Sequence, residues 1–189
     1  YAKVRGYDPY VAEYAEHPAG QATFDVIVNN DTIEHVDDIH AMLRDCLALL
    51  RPGGLLYVGT ADSEPVEMSD LEPHVMRLHQ PFHRIILTEP TLHTVVSQYE
   101  VDMLDSYRRS YLDTRLPFAN YRFLDEMNRT LGHDLNQALD PSTSTPAFLR
   151  TPRLWFFAFF GYWFPAAAEP AVILRKRATD SYALRYRPA

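Results

Sequence analysis

Cysteine, glycine and long apolar runs are all scarce in this sequence of 189 residues. Cys46 is the only cysteine, so no intramolecular disulfide can form, as is typical of proteins in a reducing compartment. No apolar run of the signal-peptide type occurs near the first residues of the sequence. We therefore expect a cytoplasmic protein.

The most apolar stretch, residues 154–164, reads LWFFAFFGYWF. It is too short to cross a bilayer, because a spanning helix needs about twenty residues. We expect no transmembrane span and interpret the stretch as part of a core or of a subunit interface. Because aromatic side chains favour the membrane–water boundary, peripheral membrane contact through residues 154–164 is the alternative.

Positive charge is also in deficit. The chain has 18 Lys and Arg against 25 Asp and Glu, a net charge of −7 and a pI near 5.6. Affinity for nucleic acid comes largely from Lys and Arg that neutralise phosphates, so the charge disfavours a nucleic-acid partner, with RNA left open by the histidine arrangement described below. Two short basic clusters, Arg108 with Arg109 and residues 175–177, are interpreted as solvated strand ends, with a local basic patch as the alternative.

The sequence does contain a predicted strand, polar loop, helix, glycine turn and second strand in direct succession. Residues 24–38 read FDVIVNNDTIEHVDD, and residues 50–60 read LRPGGLLYVGT. Between them, apolar side chains recur at helical spacing, which predicts a helix. Ligands of an open α/β sheet bind beyond the carboxyl ends of its strands. The loop after the first strand is therefore the candidate site, with the polar residues Asn29, Asn30, Asp31, Glu34 and His35.

These two segments resemble the fourth and fifth motifs of the S-adenosylmethionine-dependent methyltransferases with a Rossmann-like fold. In that family such a strand precedes a Glu-His loop, and a Pro-Gly-Gly turn follows. The resemblance covers residues 1–106 and returns at residues 171–177, which are similar to the family's last, antiparallel strand. It implies an α/β fold with a Rossmann-like methyltransferase sheet, S-adenosylmethionine as cofactor and a small-molecule acceptor.

The resemblance also implies which residues contact the cofactor. Asp8 ends a predicted strand over residues 3–8, where an acidic residue of the family accepts hydrogen bonds from the ribose hydroxyls. The other predicted cofactor contacts are Asn29, Asn30 and Asp31, in the loop after the first motif strand.

The front end of the family pattern is missing from these residues. The family normally begins with a strand and a glycine-rich GxGxG loop, and no such motif occurs in this sequence. Only fifteen residues separate Asp8 from Phe24, too few for the usual helix, third strand and connection. We expect a sheet that is incomplete at its N-terminal side and a chain that is part of a longer protein, with a degenerate relative as the alternative.

Three regions are predicted. Residues 1–106 form a partial Rossmann-like core, residues 107–168 a mainly helical and aromatic insertion, and residues 169–189 the final strand and tail. The insertion is interpreted as a cover for the active site or as a homodimer contact.

Smaller elements are predicted from local signals. Thr88 and Pro90 indicate the start of a helix over residues 88–96, which leads into a strand over residues 100–105. Within the insertion we predict an amphipathic helix over residues 118–131, a loop over residues 139–146 and the aromatic segment over residues 152–164.

The polar loop has the composition that methyl transfer requires. The nucleophile must lie in line with the methyl group, and a hydroxyl acceptor usually needs a base or a metal near its proton. At helical spacing, Asp31, Glu34 and His35 lie on one side of the loop and can supply either. His83, with His79 nearby, resembles the last ligand histidine of metal-dependent small-RNA 2′-O-methyltransferases.

We therefore predict His35, His83 and Glu34 as catalytic residues. Mg²⁺ or Mn²⁺ is a candidate metal, because oxygen and imidazole ligands suit these ions. Its predicted ligands are Asp31, Glu34, His35 and His83.

Simpler roles remain as alternatives. In one alternative, His35 packs or caps the loop, as the corresponding histidine does in family members that use no metal. His79 and His83 orient a lid, bind a substrate hydroxyl or act as a general base. Three tyrosines of the predicted insertion either line an acceptor pocket or belong to a core: Tyr107, Tyr111 and Tyr121.

The first hypothesis is methyl transfer from S-adenosylmethionine to a small-molecule acceptor, with a hydroxyl oxygen as the target. The alternative is a noncatalytic methyltransferase-like module that serves as a scaffold or interaction partner. The missing glycine loop motivates this alternative, and the aromatic segment offers it an interface.

Overall fold

The computed structural model describes residues 3–8, 11–16, 18, 22–71, 74, 78, 82–109, 114–134, 137, 140–164 and 169–178. The described chain forms an α/β structure. Two 3₁₀ turns, Ile33–His35 and Gly161–Trp163, accompany its regular elements. In chain order these are β1 (Phe24–Asn30), α1 (Ile39–Leu49), β2 (Leu50–Gly59), α2 (Glu89–Val96), β3 (Val101–Arg109), α3 (Tyr121–Thr130), α4 (Pro141–Arg150), α5 (Pro152–Phe160) and β4 (Glu169–Lys176).

The four strands form one mixed sheet in the order β1-β2-β4-β3. β1 and β2 are parallel, whereas β4 runs antiparallel to both of its neighbours. The last strand in the sequence therefore inserts between β2 and β3, and its register pairs Val172 with Val58 on one side and with Ser106 on the other. This arrangement confirms the predicted α/β sheet with a mainly helical segment before its last strand.

The Pro-Gly-Gly turn lies at the start of β2 and displaces its pairing with β1. Phe24 pairs with Leu50 and Val26 with Leu55, so the residues between Leu50 and Leu55 bulge out of the ladder. Gly53 has a φ of +80°, which favours glycine. The turn thus sets the register that aligns the carboxyl ends of both strands.

One face of the sheet carries the main core. Helix α1 begins at Asp38, whose side chain accepts hydrogen bonds from the backbone of the first turn, and α2 begins at Thr88 in the same way. Thirteen buried apolar residues form this core, and burial of each such side chain contributes about 1.5–3 kcal/mol. They are Ile33, Ile39, Leu43, Leu50, Leu56, Val58, Leu87, Leu92, Val95, Val96, Val101, Val172 and Leu174.

The other face of the sheet is more open along β1. Val26 and Val28 are 54% and 69% exposed, and both alternate with Ile27, which packs against the core. Alternating side chains point to opposite faces of a strand. The exposed valines therefore mark the face opposite to α1.

Helices α3, α4 and α5 form a second, smaller apolar cluster around Phe123, Leu154 and Phe157. Asn120 ties the cluster together: its Oδ1 accepts from the Phe123 N–H as the cap of α3, and its Nδ2 donates to the Phe157 carbonyl oxygen of α5. Asn120 is 3% exposed. One buried carboxamide thus satisfies backbone groups of both helices.

Two local predictions are wrong. Residues 3–8 do not form a strand, and the Asp8 backbone instead exchanges hydrogen bonds with Val11 and Tyr14. The predicted loop over residues 139–146 contains the first part of α4. Asp140 caps this helix and Pro141 occupies its first turn, so capping outweighs the poor helix propensity of the Ser and Thr residues.

The other predicted elements are confirmed with small shifts of their ends, among them α1, α2, α3 and β4. The aromatic segment is helical as α5 and the following 3₁₀ turn. Among the helices that the structure describes, none has the length and apolar character needed to cross a membrane.

Cys46 provides a test of the core. Burial, with a further contribution from the charge of Asp45, raises the pKa of the Cys46 thiol to about 11. Because the thiolate is the reactive form, we expect iodoacetamide to label Cys46 roughly a hundredfold more slowly in the native protein than in the unfolded chain at pH 8. Mass spectrometry measures the labelling. Equal labelling rates in the native and the unfolded protein would contradict the burial of the Cys46 thiol.

Gly161 provides a test of the helical cluster. A Cβ atom at this position would overlap with Oδ1 of Asn120. We expect Gly161→Ala to lower the free energy of unfolding by about 1–3 kcal/mol, as measured by urea denaturation.

The control is a double-mutant cycle with Asn120→Ala. Because this substitution removes the group that the new methyl would meet, Gly161→Ala should cost much less in that background. An equal cost in both backgrounds would show that the contact with Asn120 is not the cause.

Candidate functional site

The candidate site begins where β1 ends. Asp31 has a φ of +49°, in the left-handed region that Asp tolerates better than most residues. Its backbone N–H donates to the carbonyl oxygen of Gly59, at the end of the neighbouring strand. The chain then forms the 3₁₀ turn, in which fully buried Ile33 anchors the loop in the core. This turn directs the next residue, Glu34, into the protein.

Glu34 is 1% exposed and joins three segments of the chain. Its carboxylate accepts hydrogen bonds from Thr60 Oγ1 at 3.1 Å and from the Ala61 N–H at 3.4 Å, both just beyond β2. Its backbone carbonyl oxygen accepts from the N–H groups of Arg84 at 2.7 Å and Ile85 at 3.3 Å. A buried carboxylate needs such donors, because an unpaired one is costly.

Two histidines lie beside this carboxylate. His35 follows Glu34 in the turn, and its Nδ1 lies 3.1 Å from the Phe82 carbonyl oxygen. The ring of His83, which is 8% exposed, meets the His35 ring edge-on with centroids 4.7 Å apart. The contact with a carbonyl oxygen favours the His35 tautomer that carries its proton on Nδ1 and its lone pair on Nε2.

Glu34, His35 and His83 form one cluster. Each offers a ligand atom, and these three atoms lie within 4.8 Å of one another. One carboxylate and two imidazoles can bind a divalent cation, or can accept and hold a proton. Hydrogen-bonded partners such as the Phe82 carbonyl are those that orient ligand histidines in metal sites.

Asp31 does not belong to this cluster, contrary to the predicted set of four metal ligands. Its left-handed backbone turns the chain at this point, and its carboxylate accepts a hydrogen bond from Nδ2 of Asn30. Asp31 does not share a helical face with Glu34 and His35, because the turn covers only Ile33–His35.

A recess lies on the other side of the end of β1. It is shallow and is lined by Asn30, Tyr57, Gly59, Thr60, Glu169, Pro170 and Ala171. The Tyr57 hydroxyl donates to Asn30 Oδ1 at 3.2 Å. The recess lies at the carboxyl ends of β1 and β2, where ligands of an open α/β sheet bind.

The remaining predicted site residues are dispersed. Asn29 is buried, and its Nδ2 lies 3.2 Å from the Met42 sulfur on the α1 side of the sheet. Asp8 lies in an irregular segment outside the sheet. His79 and Tyr111 fall outside the described residues. Tyr107 is half-buried on β3 and Tyr121 half-buried on α3.

Two groups near the site were not predicted from the sequence. Thr60 is the first residue after β2, and a polar side chain at that position is a signal that could have identified it. Arg108, interpreted as a solvated strand end, instead contacts the carboxylates of Asp62, Glu64 and Glu89. Asp62 is fully buried. This ion-pair cluster holds the segment after β2 against β3 and the start of α2.

The chain belongs to the methyltransferase domain family. A family model described as a methyltransferase domain matches residues 1–137, which is well over half of the chain. This finding agrees with the strand order of the sheet and with the position of the polar cluster at the carboxyl end of β1.

Local similarity extends to two ubiquinone biosynthesis O-methyltransferases. The one from Parvibaculum lavamentivorans is 55% identical over 42 residues, which are 22% of this chain and 17% of that protein. The one from Caulobacter vibrioides is 46% identical over 57 residues, 29% of this chain and 21% of that protein. The matched part of this chain thus spans about a fifth of these relatives.

Among solved structures, the MccD protein is similar in fold. The match has a TM-score of 0.50 and 11% sequence identity, and it covers 86% of this chain and 64% of that one. At this identity the likeness shows the fold alone.

The Arg108 cluster gives a prediction of pH dependence. Hydrogen bonding from Arg108, followed by that from Ser106, lowers the pKa of Glu89 in the folded protein. A lowered pKa stabilises the fold above the ordinary carboxylate range, and this contribution is lost as the pH falls through the lowered value. We expect Arg108→Gln to lower the free energy of unfolding by about 1–3 kcal/mol at pH 7, since it leaves buried Asp62 without this partner.

The stability difference between the wild type and Arg108→Gln should shrink as the pH falls below about 4. Urea denaturation across a pH series measures it. Arg51→Gln, which removes an exposed pair with Asp25, is the matched control and should change stability by less than about 1 kcal/mol. A difference that is independent of pH would contradict the ionic role of Arg108.

Proposed function

We propose that this protein transfers the methyl group of S-adenosylmethionine to a hydroxyl oxygen of a small-molecule acceptor. The cluster of Glu34, His35 and His83 at the carboxyl end of β1 is the observation that carries this proposal. Membership of the methyltransferase domain family supports it, as does the local identity with O-methyltransferases.

The reaction is a substitution at the methyl carbon. The acceptor oxygen forms a bond to that carbon while the carbon–sulfur bond breaks, so that the sulfonium becomes a neutral thioether. The hydroxyl proton must leave the acceptor oxygen during or before this step. A nearby base accelerates such a proton transfer by about 10²–10⁴-fold.

His83 is the proposed general base, and His35 and Glu34 position it. The His83 imidazole is held edge-on against His35, and the backbone of the segment that carries His83 is fixed by the bonds of Arg84 and Ile85 to Glu34. A base must be held within hydrogen-bond reach of the proton that it accepts. These contacts supply that restraint.

As an alternative to proton transfer to His83, the same three residues fit a divalent cation such as Mn²⁺ or Mg²⁺, which would occupy the lone pair that a general base requires. Glu34, His35 and His83 would hold it, without the previously predicted Asp31, and the contact of His35 with a carbonyl oxygen is of the kind that supports a metal ligand. When bound, such a cation would lower the pKa of an acceptor hydroxyl.

The cofactor roles of Asp8, Asn29, Asn30 and Asp31 stay predictions, as does the cytoplasmic location. Asn30 lines the recess at the end of β1, and its Nδ2 donates to the Asp31 carboxylate. Asn29 and Asp8 have no described contact with that recess.

Binding of S-adenosylhomocysteine to the full-length protein tests the first part of the proposal. We expect a rise in melting temperature, because a ligand that binds only the folded state stabilises it. His83→Gln should keep this rise while methyl transfer to a phenol such as catechol falls about 10²–10⁴-fold. His40→Gln, a histidine outside the cluster that contacts Tyr99, is the control and should keep wild-type activity.

The outcomes separate the alternatives. No rise in melting temperature would overturn the transferase and favour the noncatalytic scaffold. If His83→Gln kept wild-type activity, the cluster would have no role in catalysis. For the cation, electron paramagnetic resonance of added Mn²⁺ gives a readout independent of activity, and binding that is unchanged in Glu34→Gln would exclude these ligands.

A further inference from the structure

Helix α5 is apolar on two opposite faces. Its inner face consists of Leu154, Phe157 and Ala158, which are at most 7% exposed and pack in the helical cluster with Phe123. This face alone satisfies the packing requirement of an ordinary surface helix, whose opposite side is polar. The opposite side of α5 is aromatic instead.

The outer residues of α5 and the following turn form a surface that we call the aromatic face. Their side chains are each 40–63% exposed. Since aromatic side chains have areas of roughly 150–250 Å², the aromatic face exposes on the order of 500 Å², comparable to the largest patch of a typical monomer, about 300–600 Å². The members are Trp155, Phe156, Phe159, Phe160, Trp163 and Phe164.

Ring contacts link the members of the aromatic face within two groups. Phe156 lies 5.4 Å from both Phe160 and Phe164, measured between ring centroids, and Phe160 lies 6.2 Å from Trp163. Trp155 stacks on Phe159 along the same side of the helix. Such a patch has the character of a binding surface rather than of scattered exposed residues.

Two cationic side chains lie near the two ends of the segment that carries the aromatic face. Arg150 precedes α5 and is exposed, and the guanidinium of exposed Arg115 lies 5.0 Å from the ring centroid of Tyr162, next to Trp163. Neither arginine forms an ion pair with a residue that the structure describes. The nearby Glu126 is already paired with Arg129 and Arg153.

The charge balance of this region differs from that of the whole chain. Residues 114–164 contain five arginines and four acidic residues, whereas the whole chain has a net charge of −7. Two arginines without a described carboxylate partner beside an aromatic surface are complementary to anionic headgroups above an apolar layer.

We infer that the aromatic face docks on a membrane surface that contains anionic phospholipid. Helix α5 lies flat, its aromatic side chains enter the boundary between headgroups and acyl chains, and Arg115 and Arg150 contact the headgroups. A lipid surface fits this patch better than a second copy of the chain. In a symmetric dimer the patch would pack against itself, and the same arginines of both copies would border a single interface. Like charges would then meet there, whereas anionic headgroups are complementary to them.

The two tryptophans of the chain, Trp155 and Trp163, both belong to the aromatic face. Tryptophan fluorescence of the full-length chain therefore reports on this surface. On addition of vesicles of phosphatidylcholine mixed with phosphatidylglycerol, we expect a blue shift of the emission. Lipids brominated along their acyl chains should quench it, because the indole rings enter the acyl boundary.

Two sets of variants test the two parts of the surface by vesicle sedimentation. Phe156→Ser with Phe160→Ser should weaken partitioning by roughly tenfold or more, and Arg115→Gln with Arg150→Gln by roughly fivefold to twentyfold. Met68→Ser, at an apolar residue that is 81% exposed outside the patch, and Arg51→Gln are the matched controls. Both should partition as the wild type does. All substituted residues are exposed, so circular dichroism should show that the variants are folded.

Three results would overturn the inference. The first is no blue shift and no sedimentation with anionic vesicles. The second is equal binding to phosphatidylcholine alone, which would remove the role of the arginines. The third is a blue shift that depends on protein concentration without vesicles, accompanied by a dimer in analytical ultracentrifugation and no quenching by brominated lipid. That result would assign the surface to a second copy of the chain.

Discussion

The burial of one carboxylate, that of Glu34, controls the geometry of the whole candidate site. Its side chain requires donors, and the end of β2 supplies them through Thr60 and Ala61. Its backbone carbonyl fixes the segment that carries His83. Because the same residue satisfies both requirements, the loop after β1, the end of β2 and the His83 segment cannot move independently. The geometry of the site therefore depends on the carboxyl ends of β1 and β2 and on the Glu34 carboxylate that is buried between them.

The elements with clear local signals were predictable from the sequence. Helix α2 has a capping threonine and an early proline, and α1 has a regular apolar repeat. These signals act over a few residues, so they survive in the folded protein. The loop predicted over residues 139–146 was wrong for a related reason: Asp140 and Pro141 form a start signal that outweighs the serines and threonines after it.

The candidate site was predictable only in part. Glu34 and His35 follow from their position after a buried strand, but their contact with His83 depends on tertiary packing across the end of β2. Asp31 was misplaced, because a left-handed backbone cannot be read from side-chain spacing. Arg108 was misjudged for a similar reason. Its three carboxylate partners lie 19 to 46 residues away in the sequence, and no local pattern indicates such a cluster.

The open side of β1 has a consequence for the behaviour of the chain in solution. In the part of the chain that the structure describes, β1 has a strand partner only on the β2 side, and Val26 and Val28 protrude from it. An unpaired strand edge with apolar side chains is a template on which further strands can add. Nothing in the residues of β1 opposes this, since Asp25 is its only charge and is already paired with Arg51. The described edge of β1 can therefore pair with a further strand, whether of this protein or of another molecule, and a lysine in place of Val28 would discourage pairing with other molecules.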